Sequence, residues 1–254
     1  MGSFADQVVW ITGASSGIGR ALALELGRRR AKLALFARRQ AALEEVACQA
    51  GAAGALDVMV LAGDVKDGEA LDGSVRSVVA RWGRVDVGIL SAGVGKPANL
   101  HRYDVEQMRH TIETNLLGVV HAAGALLPVF RGQGRGTLVG VSSLADRRGS
   151  PANLAYCSSK AAVSTFLEGL RAAWAREGIR VVTVKPGFVR TPLTELNRFP
   201  MPFLVAPEDA ARRIVRGIER GKDVIRFPLP MVWLTAVYNR LPNRLFDRLS
   251  GRVR

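Results

Sequence analysis

The sequence predicts an α/β fold: a single doubly wound parallel sheet of about seven strands with helices on both faces. Two observations point to it. Short apolar runs alternate with helical stretches from the N-terminus to about residue 227, as in a chain of βαβ units. The first apolar run also leads through a loop with three glycines directly into a helix, the kind of junction at which such sheets bind phosphates. No linker or low-complexity segment interrupts the alternation. The 254 residues therefore read as one domain, 1–228, followed by an amphipathic, basic C-terminal extension, 229–254.

The elements follow in order. Residues 7–11 form an apolar strand, and 20–30 a helix with Leu22, Leu24 and Leu26 among good helix formers. Strands at 32–36, 58–61 and 85–90 alternate with helices at 40–50 and 68–82. A long helical stretch at 105–127 precedes a strand at 137–141. A helix at 156–177, a strand at 179–184, a helix opened by Pro207 and reaching about 220, and a strand at 224–227 complete the set. Between the first strand and its helix lie Thr12, Gly13, Ala14, Ser15, Ser16, Gly17, Ile18 and Gly19. Glycines at these positions let backbone N–H groups approach a pyrophosphate, and the helix N-terminus adds the positive end of its dipole. The spacing is Gly-x-x-x-Gly-x-Gly rather than the commoner Gly-x-Gly-x-x-Gly.

The net charge of +14 raises the question of nucleic acid. Arginine outnumbers lysine but is scattered along helices, as in Arg171 with Arg176 and Arg212 with Arg213. With no basic tail, no recognised motif and no interleaved aromatics, the expectation is no nucleic-acid partner. Attraction to anionic cofactors or a membrane surface stays open. Cys48 and Cys157 match no metal or redox spacing, which argues for reduced thiols in a cytoplasmic protein without a metal site. The N-terminus lacks the pattern of a signal peptide, and no run of about twenty apolar residues could cross a bilayer.

Tyr156 and Lys160 carry the chemistry. Four residues apart on a helix, they lie on one face. An ammonium about 4 Å from a phenol, at an effective dielectric of about 20, favours the phenolate by about 4 kcal/mol. That is on the order of three pKa units, enough to bring a tyrosine of pKa about 10 into play near neutrality. The spacing alone is common in helices. Its neighbours give it weight.

Those neighbours are the glycine loop, Asp64-Val65, Ser91-Ala92-Gly93, Asn115, Ser142-Ser143, and Pro186-Gly187-Phe188-Val189-Arg190-Thr191. In this order and near these spacings, the chain resembles the short-chain dehydrogenase/reductase family over roughly residues 5 to 228, which implies a Rossmann-type sheet. The resemblance implies four catalytic residues. Ser143, thirteen before Tyr156, would hydrogen-bond the substrate oxygen. Tyr156 would exchange a proton with that oxygen. Lys160 would bind the nicotinamide ribose, and Asn115 would hold a water that relays protons to the lysine. It also implies cofactor contacts from Gly13, Ser15, Ser16, Gly17, Ile18 and Gly19, and from Asp64 and Val65 at the adenine. Ser91, Ala92 and Gly93 would follow, with Tyr156 and Lys160, then Pro186, Gly187, Val189 and Thr191 at the nicotinamide end. Ser91 departs from the family's usual asparagine, a mainly structural residue there.

Cofactor choice rests on the end of the second strand, where relatives that prefer NAD carry a carboxylate. This chain has Ala37, Arg38 and Arg39. The arginines suit a 2′-phosphate, so the expectation is NADP(H) rather than NAD(H), with Arg38 the main contact and Arg39 a helper. Ser16 stands where many NADP-dependent relatives carry a basic residue. The whole reads as an oxidoreductase acting on a carbonyl or alcohol carbon. The alternative, a catalytically idle dinucleotide-binding sensor or scaffold, has no need of all four catalytic residues. Residues 193–205, with Phe199, Met201, Pro202 and Phe203, fall in the family's variable substrate loop and favour an apolar ketone or alcohol. Long helices together with the resemblance suggest a homodimer or homotetramer. The extension mixes large apolar residues with Arg240, Arg244, Arg248, Arg252 and Arg254; docking on a partner subunit, on a membrane surface or on its own domain all remain open.

Overall fold

The computed structural model describes residues 3–97, 104–197 and 199–250; Arg252 and Arg254 of the extension lie outside them. Its strands are β1 (Val8–Thr12), β2 (Lys32–Ala37), β3 (Asp57–Ala62), β4 (Val87–Leu90), β5 (Gly136–Val141), β6 (Ile179–Pro186) and β7 (Val224–Phe227). They form one parallel seven-stranded sheet in the order β3-β2-β1-β4-β5-β6-β7. All five residues of β1 are buried, because a central parallel strand is covered on both faces. Val9 and Ile11 enter the core under α1 (Gly17–Arg28), α2 (Gln40–Ala52) and α7 (Pro207–Glu219). Val8 and Trp10 point the other way, under α3 (Gly68–Trp82), α5 (Gly118–Gln133) and α6 (Leu154–Trp174). β3, at the sheet edge, is only half buried.

The chain winds outward from β1 to β3, then returns to set β4 on the other side of β1. Connections therefore diverge at the carboxyl ends of β1 and β4, and a crevice opens there. The fold class and strand set match the expectation from sequence. Several boundaries move. The third-last helix stretch of the sequence pattern, at 105–127, resolves into α4 (Val105–Ile112), a π-turn at Glu113–Leu117, and α5, which runs through Pro128 to Gln133. Beyond that proline, Phe130 is fully buried against the sheet, and this packing outweighs the lost backbone bond. The stretch Val105–Gln133 is long and apolar enough to cross a membrane. Its buried Ala122, Leu126 and Phe130 belong to the core beneath α5, so we read it as a core helix.

After β7 the chain forms α8 (Leu229–Asn239) and α9 (Asn243–Ser250). Their inner sides pack on the domain. Arg148 donates to Leu241 O at 2.7 Å and lies 4.4 Å from the Phe246 ring, whose centroid is 5.2 Å from that of Tyr238. Of the three dockings open for the extension, contact with its own domain is therefore present on one side.

Candidate active site

β1 delivers the glycine loop to the crevice. Gly13 has φ +68, and a Cβ there would lie 2.7 Å from the backbone of Ala92. The loop and the Ser91-Ala92-Gly93 segment thus touch backbone to backbone. Gly19 serves packing rather than contact with a ligand: a Cβ would meet Gly13 O at 2.3 Å, so helix and loop could not close. At Ser16 no side chain caps the first turn of α1, whose N–H groups stay available to an anion. Thr191 closes over this turn; a Cβ on Gly17 would stand 3.1 Å from its Cγ2.

At the end of β2, Arg39 reaches back over the loop and donates to Ser15 Oγ at 3.2 Å. Arg38 is 62% exposed, with its nearest carboxylate, Asp64, at 3.9 Å. No carboxylate occupies the strand end itself, where Ala37 is buried. The sequence assigned Arg38 the larger part; the structure brings Arg39 onto the glycine loop and leaves Arg38 mostly exposed.

At the far end of the crevice the Ser143 side chain lies near the Tyr156 phenol, where it draws the phenol's pKa down in part, while its Oγ accepts from Ala145 N at 3.1 Å. Ser142, its neighbour, faces inward: its Oγ donates to Lys160 O at 2.9 Å and lies 2.8 Å from Ser164 Oγ. Adjacent residues leaving a strand point oppositely, and this separates the two serines. Lys160 is buried, donates from Nζ to Val141 O at 2.9 Å, and sits 5.7 Å from the Tyr156 ring centroid. Burial lowers its pKa from 10.5 to about 8. The tyrosine differs from expectation. Burial pushes the phenol above its ordinary value of 10, and the Ser143 side chain opposes this only in part. The expected depression by Lys160 fails because the ammonium is turned to Val141 O and is itself desolvated.

Asn115 lies in the π-turn and is fully buried. Its Oδ1 accepts from Val94 N at 2.7 Å, while Nδ2 donates to Val94 O and Ser159 Oγ, each at 2.9 Å. The polar partner that an asparagine in an apolar helix requires is the loop after β4. Asn115 thereby fixes Gly93 and Gly95; a Cβ on Gly93 would lie 3.5 Å from Lys160 Nζ, and one on Gly95 3.0 Å from Tyr156 Cδ2.

The sequence reading missed a buried chain behind the serines. Lys185 Nζ and Asp146 Oδ2 are 2.5 Å apart, with side chains 13% and 5% exposed. Asp146 also accepts from Ser164 Oγ at 2.5 Å, which leads through Ser142 to the backbone of Lys160. One signal was available: a lysine within a strand buried on both faces demands a partner.

One cleft of about 870 Å³ is lined by Gly13, Arg38, Asp64, Tyr156, Lys160 and Pro186; Ser142 also lines it, whereas Ser143, Asn115 and Gly19 do not. Val65 and Ala92 lie along it, as do Ile18, Gly187, Val189 and Thr191. A dinucleotide suits the residues present. The glycine positions admit close backbone approach, the open helix turn suits a pyrophosphate, and two arginines stand at one end. Asp64 Oδ1 is engaged by Lys66 N at 3.0 Å, which fixes its loop beside them. A second cleft, of about 810 Å³ between α3 and α5, holds none of these groups. Among the described residues no cluster could ligate a metal.

The family model described as short chain dehydrogenase matches residues 7–199. An uncharacterized oxidoreductase of Myxococcus xanthus is 40% identical over 254 residues, the whole of both chains. An 11-beta-hydroxysteroid dehydrogenase A of Sesamum indicum is 34% identical, over 92% of this chain and 71% of its own. Among solved structures, a short-chain type dehydrogenase/reductase from Mycobacterium marinum superposes with a TM-score of 0.81 at 25% identity, over 89% of this chain and 95% of its own. The strand order, the glycine loop and these matches agree: the chain belongs to the short-chain dehydrogenase family and is an oxidoreductase built on a nicotinamide-dinucleotide fold.

Proposed function

We propose that this oxidoreductase is NADP(H)-dependent and acts at the carbonyl or alcohol carbon of an apolar substrate, with Tyr156 as general acid and base. The observation that carries the reading is the Tyr156 phenol beside the buried Lys160, whose Nζ lies 5.7 Å from the ring centroid, at one end of a cleft whose other end holds two arginines. The nicotinamide, when bound, supplies or accepts the hydride.

The chain's own residues do the rest. A substrate oxygen at this end would accept hydrogen bonds from Ser143 and Tyr156, and Tyr156 would transfer its proton as negative charge develops. A phenol that burial keeps protonated is in the right form for that transfer at neutral pH. Lys160, charged below about pH 8, offsets the phenolate left behind and can donate to a ribose hydroxyl. Asn115 acts as a positioning residue through Val94 and Ser159. Arg38 and Arg39 would hold the 2′-phosphate, with Asp64 and Val65 near the adenine. Support for an apolar substrate comes from Leu193 and Leu196 in the cleft wall, and from Phe199, whose ring lies 6.0 Å from that of Phe188. The two free cysteines fit a cytoplasmic enzyme.

The test has two arms. Tyr156→Phe should abolish turnover while NADPH binding persists; unchanged turnover refutes the mechanism. Arg38→Ala should weaken NADPH on the order of tenfold to a hundredfold, as loss of charge-assisted hydrogen bonds does, and leave NADH nearly unaffected. Equal affinity of the wild type for both cofactors refutes the NADP(H) assignment.

A further inference from the structure

α8 is apolar on the side it turns to solvent as well as on its inner side. Met231 faces inward, near enough to Gly187 that a Cβ there would lie 3.0 Å from its Cγ, and Tyr238 packs on Phe246. The outward arc consists of Leu229, Pro230, Trp233, Leu234 and Val237. Leu229 is 67% exposed, Trp233 72% and Val237 61%; at four-residue spacing they form one line along the helix. No charged residue occurs within Leu229–Asn239. α9 extends the surface with Leu245 and Leu249, four apart and both exposed, beside exposed Arg244 and Arg248. A contiguous apolar face of this kind on a folded protein marks a contact surface.

Charge selects the occupant. Arg147, Arg226, Arg240, Arg244 and Arg248 are exposed around the patch, against Asp247 in α9 and Asp223 before β7, on a chain of net charge +14. A second copy related by a two-fold axis would bring these arginines against their own counterparts. An anionic lipid surface meets both features: its acyl boundary takes Leu229, Trp233 and Val237, and its headgroups take the guanidinium groups. Eleven helical residues span about 16 Å, half of a hydrocarbon core of about 30 Å, so α8 can lie in the interface but cannot cross it.

We propose that α8 and α9 form a docking surface for an anionic lipid bilayer. Through Met231 this surface adjoins Gly187 of the cleft, whose wall also carries the exposed Leu196 of the substrate loop. A docked molecule therefore takes its apolar substrate from the membrane; this last clause rests on the proposed reductase activity, whereas the docking does not.

The experiment is sedimentation of the full-length protein with vesicles of phosphatidylcholine, with and without about one third phosphatidylglycerol, at low salt. The expected result is binding to the anionic vesicles, with a blue shift of tryptophan emission that Trp233→Phe removes. Paired substitution Trp233→Asp with Val237→Asp should abolish binding. Arg240→Ala with Arg244→Ala should weaken it about thirtyfold. NADPH titration of the same variants reports folding and should not change. No binding of the wild type overturns the proposal, as does binding that survives the paired aspartates. A dimer that those aspartates dissociate, without vesicle binding, assigns the face to a second copy and also overturns it. Vesicle binding in a protein that reduces nothing leaves docking standing and refutes only the catalytic reading.

Discussion

Lys160→Met should make the protein more stable at pH 7 while abolishing turnover. The ammonium is 4% exposed, and burial alone lowers its pKa from 10.5 to about 8. A shift of that size corresponds to about 3 kcal/mol. The sign follows from proton counting. Below pH 8 both states hold the proton and the folded state bears the full desolvation cost. Between pH 8 and 10.5 the unfolded chain still holds the proton that the folded chain has released, so wild-type stability rises with pH. Methionine fills similar volume without charge and removes this cost, but it leaves Val141 O without the 2.9 Å bond from Nζ, a loss of about 1–2 kcal/mol. The net gain at pH 7 is about 1–2 kcal/mol, or a Tm rise of about 3–6 °C for a domain of this size. Above pH 10 the gain should reverse into a loss of about 1–2 kcal/mol. Thermal or urea unfolding of both proteins at pH 7, 8.5 and 10 measures the crossing. A variant less stable at pH 7, by an amount that does not change with pH, would refute the reasoning and show that something compensates the buried charge.

Three further outcomes follow from the same geometry. Because burial holds the Tyr156 phenol above its ordinary value while Lys160 loses its charge near pH 8, kcat/KM for reduction should stay flat up to about pH 8 and fall above it, while alcohol oxidation, which needs the phenolate, should climb with pH; a reduction profile that stays flat well above pH 8 would contradict this. Asp146→Asn strands the Lys185 ammonium beneath the catalytic serines and should cost about 3–5 kcal/mol in urea unfolding, whereas Asp146→Leu combined with Lys185→Met should cost much less. Gly13→Ala forces a side chain into a left-handed position 2.7 Å from the Ala92 backbone and should weaken NADPH on the order of tenfold or more, read by fluorescence titration.

The fold was legible because its signals are local. Each buried parallel strand is a short apolar run, and Gly83 and Gly134, both in the left-handed region, end α3 and α5 as sequence punctuation suggests. Of the site, the Tyr156–Lys160 pair was legible from a four-residue helical spacing, whereas the roles given to Ser143 and the glycine loop came from the family resemblance. Tertiary effects were not legible. Pro128 reads as a helix end, but the burial of Phe130 carries α5 past it. Asp146 and Lys185 are 39 positions apart and become neighbours only once β5 pairs with β6. The ionisation of Tyr156 depends on how deeply the ring is buried and where the Lys160 ammonium points, neither of which a four-residue spacing encodes.

That last point bears on how the site works. Protein burial here favours the neutral phenol and penalises the ammonium, so each group is displaced toward its uncharged form. Neither displacement resembles an ordinary ion pair, in which both charges would be stabilised. Under the proposed mechanism the arrangement would keep its electrostatics for the moment a proton leaves Tyr156, when a negative oxygen would appear near an otherwise poorly compensated cation in surroundings where their attraction is weakly screened. Asn115 and the Asp146–Lys185 pair belong to this proposed design, since they fix the loop carrying Gly93 and the segment carrying Ser142 against the α6 backbone at Lys160 without contributing charge at the reacting oxygen. On the proposed mechanism such a site would lose stability in the resting state and recover it in the transition state. On that reasoning, substitutions at Lys160 should separate stability from activity, while substitutions at Asp146 should reduce both together.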